Sequence, residues 1–366
     1  MPSSSGINRD RTATPHMSAR LPNLHDAFTV IGNSGFESLL ERRSSSANRQ
    51  YIDGAITMGR PLKVGIFITA MAGGMRDGAL KWPDLKDMAQ RAEALGFDSF
   101  WIPDHLIFKN PDQPPHGPWE CWSLLSALAA STSRMELGTL VVCVGFRNPG
   151  LMAKMADTVD EISGGRLILG LGAGWHEPEY EAFGYSFDNR FARFDEAVHI
   201  IRTLLRDGHI DHEGQFYTLK DCELRPRGPR AEGPPILIGA LASRPRMLGM
   251  VARYADQWNG WLLHGRSHVD EVAPLRQAVD AACEKIGRDP STLVRTIGIA
   301  IDQREPDQLG KGMAPGSIPM TGTPQELAEH LRAFAKAGIH HVQVTPMVQG
   351  VAGIEALAPV LQLLDQ

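Results

Sequence analysis

Residues 147–184 read RNPGLMAKMADTVDEISGGRLILGLGAGWHEPEYEAFG. Asn148 is a residue type that caps helices, and Pro149 stands at the first helical position, where a missing N–H costs nothing. Leu151, Met155, Val159 and Ile162 recur at helical spacing, and Ser163-Gly164-Gly165 stops the helix. Leu167-Ile168-Leu169 follows as an apolar run without polar alternation, which predicts a parallel strand covered on both faces. Beyond its C-terminal end, behind three glycines, stand Trp175, His176, Glu177, Glu179 and Tyr180. Aromatic and titratable groups just past a buried parallel strand are where an α/β enzyme holds its ligand.

Gly170-Leu171-Gly172-Ala173-Gly174 looks like half a dinucleotide fingerprint. The third Gly comes one place early, Pro178 and two aromatics follow where a regular helix should open, and no ribose-binding acid ends a strand about 20 residues on. The glycines therefore read as sites of close backbone packing, which also admits the approach of a ligand.

Outward from this stretch the same unit repeats. Apolar runs at 64–68, 99–102, 137–142, 167–171, 236–239, 257–261, 296–301 and 341–344 each precede a helical pattern. Thr323-Pro324-Gln325-Glu326 is a capping box for the seventh helix, and 354–364 forms the last. Eight such units predict a (β/α)₈ TIM barrel, the α/β class, with a doubly wound open sheet as the alternative. Insertions follow the fourth unit, where 212–217 reads as a hairpin, and the seventh strand, where the Gly/Pro-rich 302–322 is expected to cover the barrel mouth.

The chain has 366 residues, 43% hydrophobic and 22% charged, with a net charge of −5. That balance gives no nucleic-acid footprint, and no apolar run approaches the length of a bilayer span. Cys121, Cys143, Cys222 and Cys283 fit no metal spacing, and the scattered histidines converge on no third ligand, so no metal site is expected. A reduced, cytoplasmic compartment fits. Residues 1–60 are Ser/Arg/Asn-rich and read as a poorly ordered extension, or as sequence upstream of a start at Met58; the barrel is expected over 61–366.

At the C-terminal ends of the strands stand Asp104 and His105, then Thr139, then Trp175-His176-Glu177, then Gly239-Ala240-Leu241-Ala242-Ser243, then Trp258-Asn259. Histidine titrates near neutral pH, so His105 suits acid/base work, with Asp104 as its neighbouring carboxylate. Trp175 and Trp258 suit either stacking on a flat ring or filling the barrel top. Ser243 suits either capping the next helix or leaving its N–H groups for a phosphate.

WIPDH (101–105), LGTLVV (137–142), the 146–184 segment, RFDEAVHIIRTLL (193–205), PPILIGA (234–240) and VARYADQWN (251–259) together resemble the bacterial luciferase-like superfamily of flavin and deazaflavin TIM-barrel oxidoreductases. The resemblance covers about residues 62–364 and is greatest to the coenzyme F420-dependent branch. It implies a catalytic set of His105, Asp104 and His176. It further implies a cofactor-binding set of Thr139, Leu140 and Val141 in a strand-three bulge, often with a cis peptide, Gly174 and Trp175 after strand four, and Gly239, Ala240, Leu241, Ala242 and Ser243 on the ribityl-phosphate side. Related F420 enzymes acting on sugar phosphates place a catalytic Glu soon after the strand-four glycines. Here Trp175-His176 intervene before Glu177, which leaves the proton donor open.

The implied activity is hydride transfer between F420 and a small organic substrate. The alternative is an FMN-dependent monooxygenase fed by a separate reductase, and a flavin-binding relative without turnover is a third reading. A homo-oligomer such as a dimer is expected, with no nucleic-acid or membrane partner. An F420 tail is anionic, and Arg225, Arg227, Arg230, Arg244 and Arg246 are the cations expected along its groove.

Overall fold

The computed structural model describes residues 59–68, 80–111, 114–311, 313, 315–348 and 350–366. The leader expected over 1–60 lies outside these except for Gly59 and Arg60. Arg60 is buried and ties the start of the barrel to its end, through ion pairs of 2.8 Å to both Asp98 and Asp365.

The strands are β1 Lys63–Phe67, β2 Ser99–Ile102, β3 Glu136–Thr139, β4 Val142–Cys143, β5 Leu167–Gly172, β6 His209–Glu213, β7 Thr218–Glu223, β8 Ile236–Gly239, β9 Gln257–Trp261, β10 Val294–Ile301 and β11 His341–Pro346. Helices of the barrel ring are α1 Trp82–Ala94, α2 Cys121–Ser131, α3 Pro149–Ser163, α4 Glu177–Phe183, α5 Arg190–Asp207, α6 Pro245–Tyr254, α7 Val272–Glu284, α8 Pro324–Lys336, α9 Gly350–Ala356 and α10 Ala358–Leu364. Parallel pairing runs β3-β2-β1-β11-β10-β9-β8-β5 and closes through β3–β5, so eight strands form the expected TIM barrel. β6 and β7 pair antiparallel as the hairpin of the long insertion.

Asn148 caps α3, accepting from the N–H groups of Gly150 and Leu151 at 2.9 and 3.2 Å, and Gly164 ends it at φ 68°. The buried stripe, however, is Met152, Ala153, Ala156, Val159 and Asp160; Leu151 and Ile162 are exposed. Small side chains let α3 lie close to its neighbours, and this outweighs the larger apolar residues one position away. α8 carries the complete Thr323–Glu326 capping box.

The run expected as one third strand is broken. β3 stops at Thr139, the Leu140–Val141 peptide is cis, and pairing resumes at β4. The β3–β5 ladder ends at Gly138–Ile168 and restarts as Val142–Leu171. Across the gap the Thr139 hydroxyl donates to the Gly170 carbonyl at 2.8 Å and accepts from the Gly170 N–H at 3.0 Å. Backbone groups that the bulge would orphan are thereby satisfied. The glycines of β5 fit this bulge: a Cβ on Gly170 would lie 1.9 Å from the Thr139 carbonyl oxygen, and one on Gly172 would lie 2.5 Å from Val141 Cγ2.

Val342 and Val344 pack on the helix side of the sheet, so His341, Gln343 and Thr345 face the barrel interior. The lower interior is polar. Ser99 meets His341 Nε2 at 2.7 Å, and Asn259 donates to Thr296 and Gln343 at 2.9 Å each. Towards the C-terminal ends it turns apolar, with Phe67, Trp101, Ile168, Leu237 and Ala300 in one cluster.

Candidate active site

The C-terminal mouth gathers the ends of β2, the bulge, the segment after β5, and the β8 turn. Asp104 and His105 follow β2, but they do not act as a pair. Asp104 is 2% exposed and receives Arg147 through both guanidinium nitrogens, at 2.6 and 3.0 Å, together with the Cys143 N–H at 3.0 Å. Burial alone would disfavour the Arg147 charge; its hydrogen bonds to Asp104 and Glu120 outweigh that and raise its pKa above the ordinary value. Asp104 therefore fastens the bulge to the β2 loop, which corrects its expected place as the carboxylate of His105.

That carboxylate is Glu179. Its Oε1 lies 3.0 Å from His105 Nδ1, and its Oε2 accepts the Leu106 N–H at 3.0 Å. Glu179 is 1% exposed, and its carboxyl oxygens meet one histidine and one backbone amide. Nδ1 being occupied, Nε2 is the His105 nitrogen open to a ligand, and among the described residues it makes no hydrogen bond. The ring lies against Phe108 and edge-on to Trp175, with centroids 4.5 and 5.7 Å away. Glu179 comes from α4, a helix whose opening at Pro178 the sequence reading discounted; proline fits the first helical turn. Both Glu179 and Tyr180 are buried, and no spacing rule in the sequence singles either out.

His176 has a different place. It is buried, its Nε2 accepts the Lys109 N–H at 3.1 Å, and burial lowers its pKa, so the ring is neutral. In this position it holds the β2 loop through the Lys109 amide. Tyr180 is also buried; its hydroxyl donates to the Ala173 carbonyl at 3.0 Å and meets Cys143 Sγ at 2.8 Å. Burial pushes the Cys143 thiol up to about 12, so it stays protonated at neutral pH. A Cβ on Gly174 would lie 2.1 Å from the Tyr180 hydroxyl.

Thr139 is fully buried, and its hydroxyl is taken by Gly170, so it supports the bulge from within the sheet. Leu140 and Val141 join the apolar cluster of the upper interior. Trp175 is exposed at the mouth, whereas Trp258 is buried on the helix side and donates to the Ala240 carbonyl at 2.9 Å, so only Trp175 could stack on a ligand. At the end of β8 a Cβ on Gly239 would meet, among the described residues, only the Asn259 carbonyl oxygen, at 3.9 Å. Ala240 is buried, and Leu241, Ala242 and Ser243 are exposed. The N-cap of α6 is Arg244, with no side-chain cap, so Ser243 does not fill that role.

Of the five arginines expected along a tail groove, three are elsewhere. Arg230 pairs with Asp160 and donates to the carbonyl of Leu167, the first residue of β5, at the end of the barrel opposite the mouth. Arg227 donates to the Leu205 and Ala231 carbonyls, and Arg225 pairs with Glu223 of the hairpin. A connection from a helix end to a strand start runs along that far side, which sequence spacing did not reveal. Arg244 and Arg246 are exposed at the β8–α6 turn, the Arg246 guanidinium lying over the Phe191 ring at 5.9 Å from its centroid.

Described residues of the 302–322 segment are tied to one another and to neighbouring loops and strand ends. Asp302 accepts from Arg304 and from the Gly310 N–H, while Ile318 and Met320 hydrogen-bond back to Gly265 and Ala300. Met313 packs on the interior cluster. Among the described residues no group of His, Cys, Asp and Glu is arranged for a metal ion, and no helix is long and apolar enough to cross a membrane.

The luciferase-like monooxygenase family model matches residues 62–303, most of the barrel. The chain belongs to this family. Its luciferase-like relatives include the pyrimidine monooxygenase RutA of Cronobacter sakazakii, 32% identical over 51% of this chain and 55% of that protein. A 5,10-methylenetetrahydromethanopterin reductase of Archaeoglobus fulgidus is 31% identical over 61% of this chain and 62% of its own. The chain thus spans little more than half the length of these two relatives. Among solved structures, an F420-dependent secondary alcohol dehydrogenase superposes with TM-score 0.68 at 19% identity, covering 83% of this chain and 99% of that one. The monooxygenase RslO1 from Streptomyces bottropensis gives 0.66 at 22% identity, over 83% and 98%. At these identities the two share the luciferase-like barrel fold.

Proposed function

We propose that this luciferase-like protein transfers hydride between a reduced deazaflavin, coenzyme F420, and a small organic substrate, as a cytoplasmic homo-oligomer. The observation that carries this reading is the His105–Glu179 pair at the mouth, opposite the β8 turn at Gly239. Hydride transfer needs a positioned ring and a group that gives or takes a proton at the reacting atom. Glu179 fixes the His105 tautomer by holding Nδ1, which leaves Nε2 to exchange a proton with substrate. Gly239 and Ala240, the uncapped α6 N-terminus, and Arg244 and Arg246 fit the phosphate side of such a cofactor. The bulge at Leu140–Val141 fits its ring, and Trp175 can cover it. When bound, the deazaflavin supplies the hydride; the chain orients, excludes water and moves the proton.

The choice of F420 is supported by the F420-dependent alcohol dehydrogenase and by the coenzyme F420 dependent tetrahydromethanopterin reductase from Methanopyrus kandleri among the similar folds. The FMN monooxygenase reading is favoured instead by RutA and RslO1. Titration of the full-length protein with each cofactor separates them. Tight F420 binding, with weak or no FMN binding, is expected. Tight FMN binding without F420 binding, or oxygen-dependent product formation from FMNH₂, would overturn the assignment.

A further inference from the structure

Glu179 reaches His105 from α4, a helix of seven residues. So short a helix does not hold its own conformation in water, and its direction is set by what it packs against. Its buried residues, Glu179 and Tyr180, are consecutive, about 100° apart around the helix axis, so fixing one fixes where the other points.

Tyr180 is fully buried against Phe146 and Phe187, with ring centroids 4.8 and 5.2 Å away, and Leu106 packs on the same cluster. Two glycines line its slot. A Cβ on Gly145 would lie 2.8 Å from both the ring and the hydroxyl of Tyr180, and one on Gly174 would lie 2.1 Å from the hydroxyl. Gly145 follows β4 and Gly174 follows β5, so the ring is wedged between the backbones leaving two paired strands.

The hydroxyl at its tip is used twice. It donates to the Ala173 carbonyl at 3.0 Å and, its one proton being engaged there, accepts from the Cys143 thiol at 2.8 Å. Burial raises the pKa of both groups, so each keeps its proton at neutral pH. Ring packing alone would let the side chain slide along its slot; a hydrogen bond to each flank fixes its depth.

We infer that Tyr180 is a positioning residue of this site: its hydroxyl, held between Cys143 and Ala173, sets the roll of α4 and thereby aims the Glu179 carboxylate at His105 Nδ1. The bearing of this on turnover rests on the proposed hydride transfer; the aiming itself does not.

Nitrogen-15 NMR of the full-length protein labelled at histidine tests this without cofactor, with His105→Ala identifying the His105 ring signals. In the parent, His105 is expected as a single Nδ1–H tautomer at about pH 9, well above the ordinary histidine pKa. Tyr180→Phe keeps the ring and removes both hydrogen bonds. It should stay folded and show the two tautomers mixed, approaching the pattern of Glu179→Ala, in which Nδ1 has lost its carboxylate. Cys143→Ala leaves the ring untouched, removes one bond and should give part of that change. Cys143→Ser keeps a donor at the position and should stay with the parent. Parent-like signals in Tyr180→Phe overturn the inference; should that variant not fold, parent-like signals in Cys143→Ala do so. A parent without the Nδ1–H tautomer overturns it as well. The readout involves no cofactor, so a failed F420 titration and a failed Tyr180 result are separate outcomes.

Discussion

At the residue scale the site turns on which carboxylate serves which cation. His105 is legible in the sequence because it follows an apolar strand, and such positions reach the mouth of a barrel. Glu179 is 74 residues away, and nothing in its local spacing marks it as the partner. Asp104, the neighbour in sequence, is drawn away by Arg147, whose two-nitrogen geometry suits a carboxylate better than an imidazole can. His105→Ala should lower turnover by about 10²–10⁴ while the thermal melt stays intact. Glu179→Gln keeps the shape and an acceptor oxygen but loses the charge, so kcat should fall more than KM rises, with a displaced pH–rate profile. An unchanged profile would make Glu179 a structural anchor for Leu106 and nothing more.

Among the elements, the glycines of β5 and β8 look alike in sequence and act differently. Gly170 and Gly172 face the strand-three bulge, where a methyl group would collide with backbone or with Val141. At Gly239 a methyl group would meet nothing nearer than 3.9 Å among the described residues. Gly170→Ala should therefore destabilise the apo-protein by about 1–3 kcal/mol, read as a lowered melting temperature or denaturant midpoint. Gly239→Val should leave the apo melt nearly unchanged and weaken cofactor binding at least about ten-fold. If both variants lose stability alike, the β8 turn is packing rather than cradle. The strands themselves were legible as apolar runs bounded by glycine and proline. The break in the third run was expected only through the family resemblance, because periodicity alone reads LGTLVV as one continuous strand, and the interruption is matched to the glycines of the neighbouring strand.

For the whole molecule, closure of the sheet places a polar layer inside the barrel, where branched apolar residues are commoner. His341 is fully enclosed there, and burial lowers its pKa from 6.5 to about 3, with the Lys63 charge acting in the same direction. The unfolded chain takes up a proton near pH 6.5, and the folded one does not until pH nears 3. The stability this group contributes is thus complete above pH 6.5 and is lost as pH falls below it, by up to about 1.4 kcal/mol per pH unit. His341→Asn, compared with the parent by denaturant unfolding between pH 6 and 4, should flatten the slope by about that amount. Parallel curves would show that His341 titrates normally in the fold. The sequence by itself determined the repeating strand–helix units, the barrel class and the strand ends where a site must lie, because periodicity and capping act over a few residues. Only the tertiary structure decided that Glu179 holds His105 and that Arg227 and Arg230 lie towards the far end. Those pairings depend on the β3–β5 closure and on which strand ends it brings face to face, a geometry that no local spacing encodes.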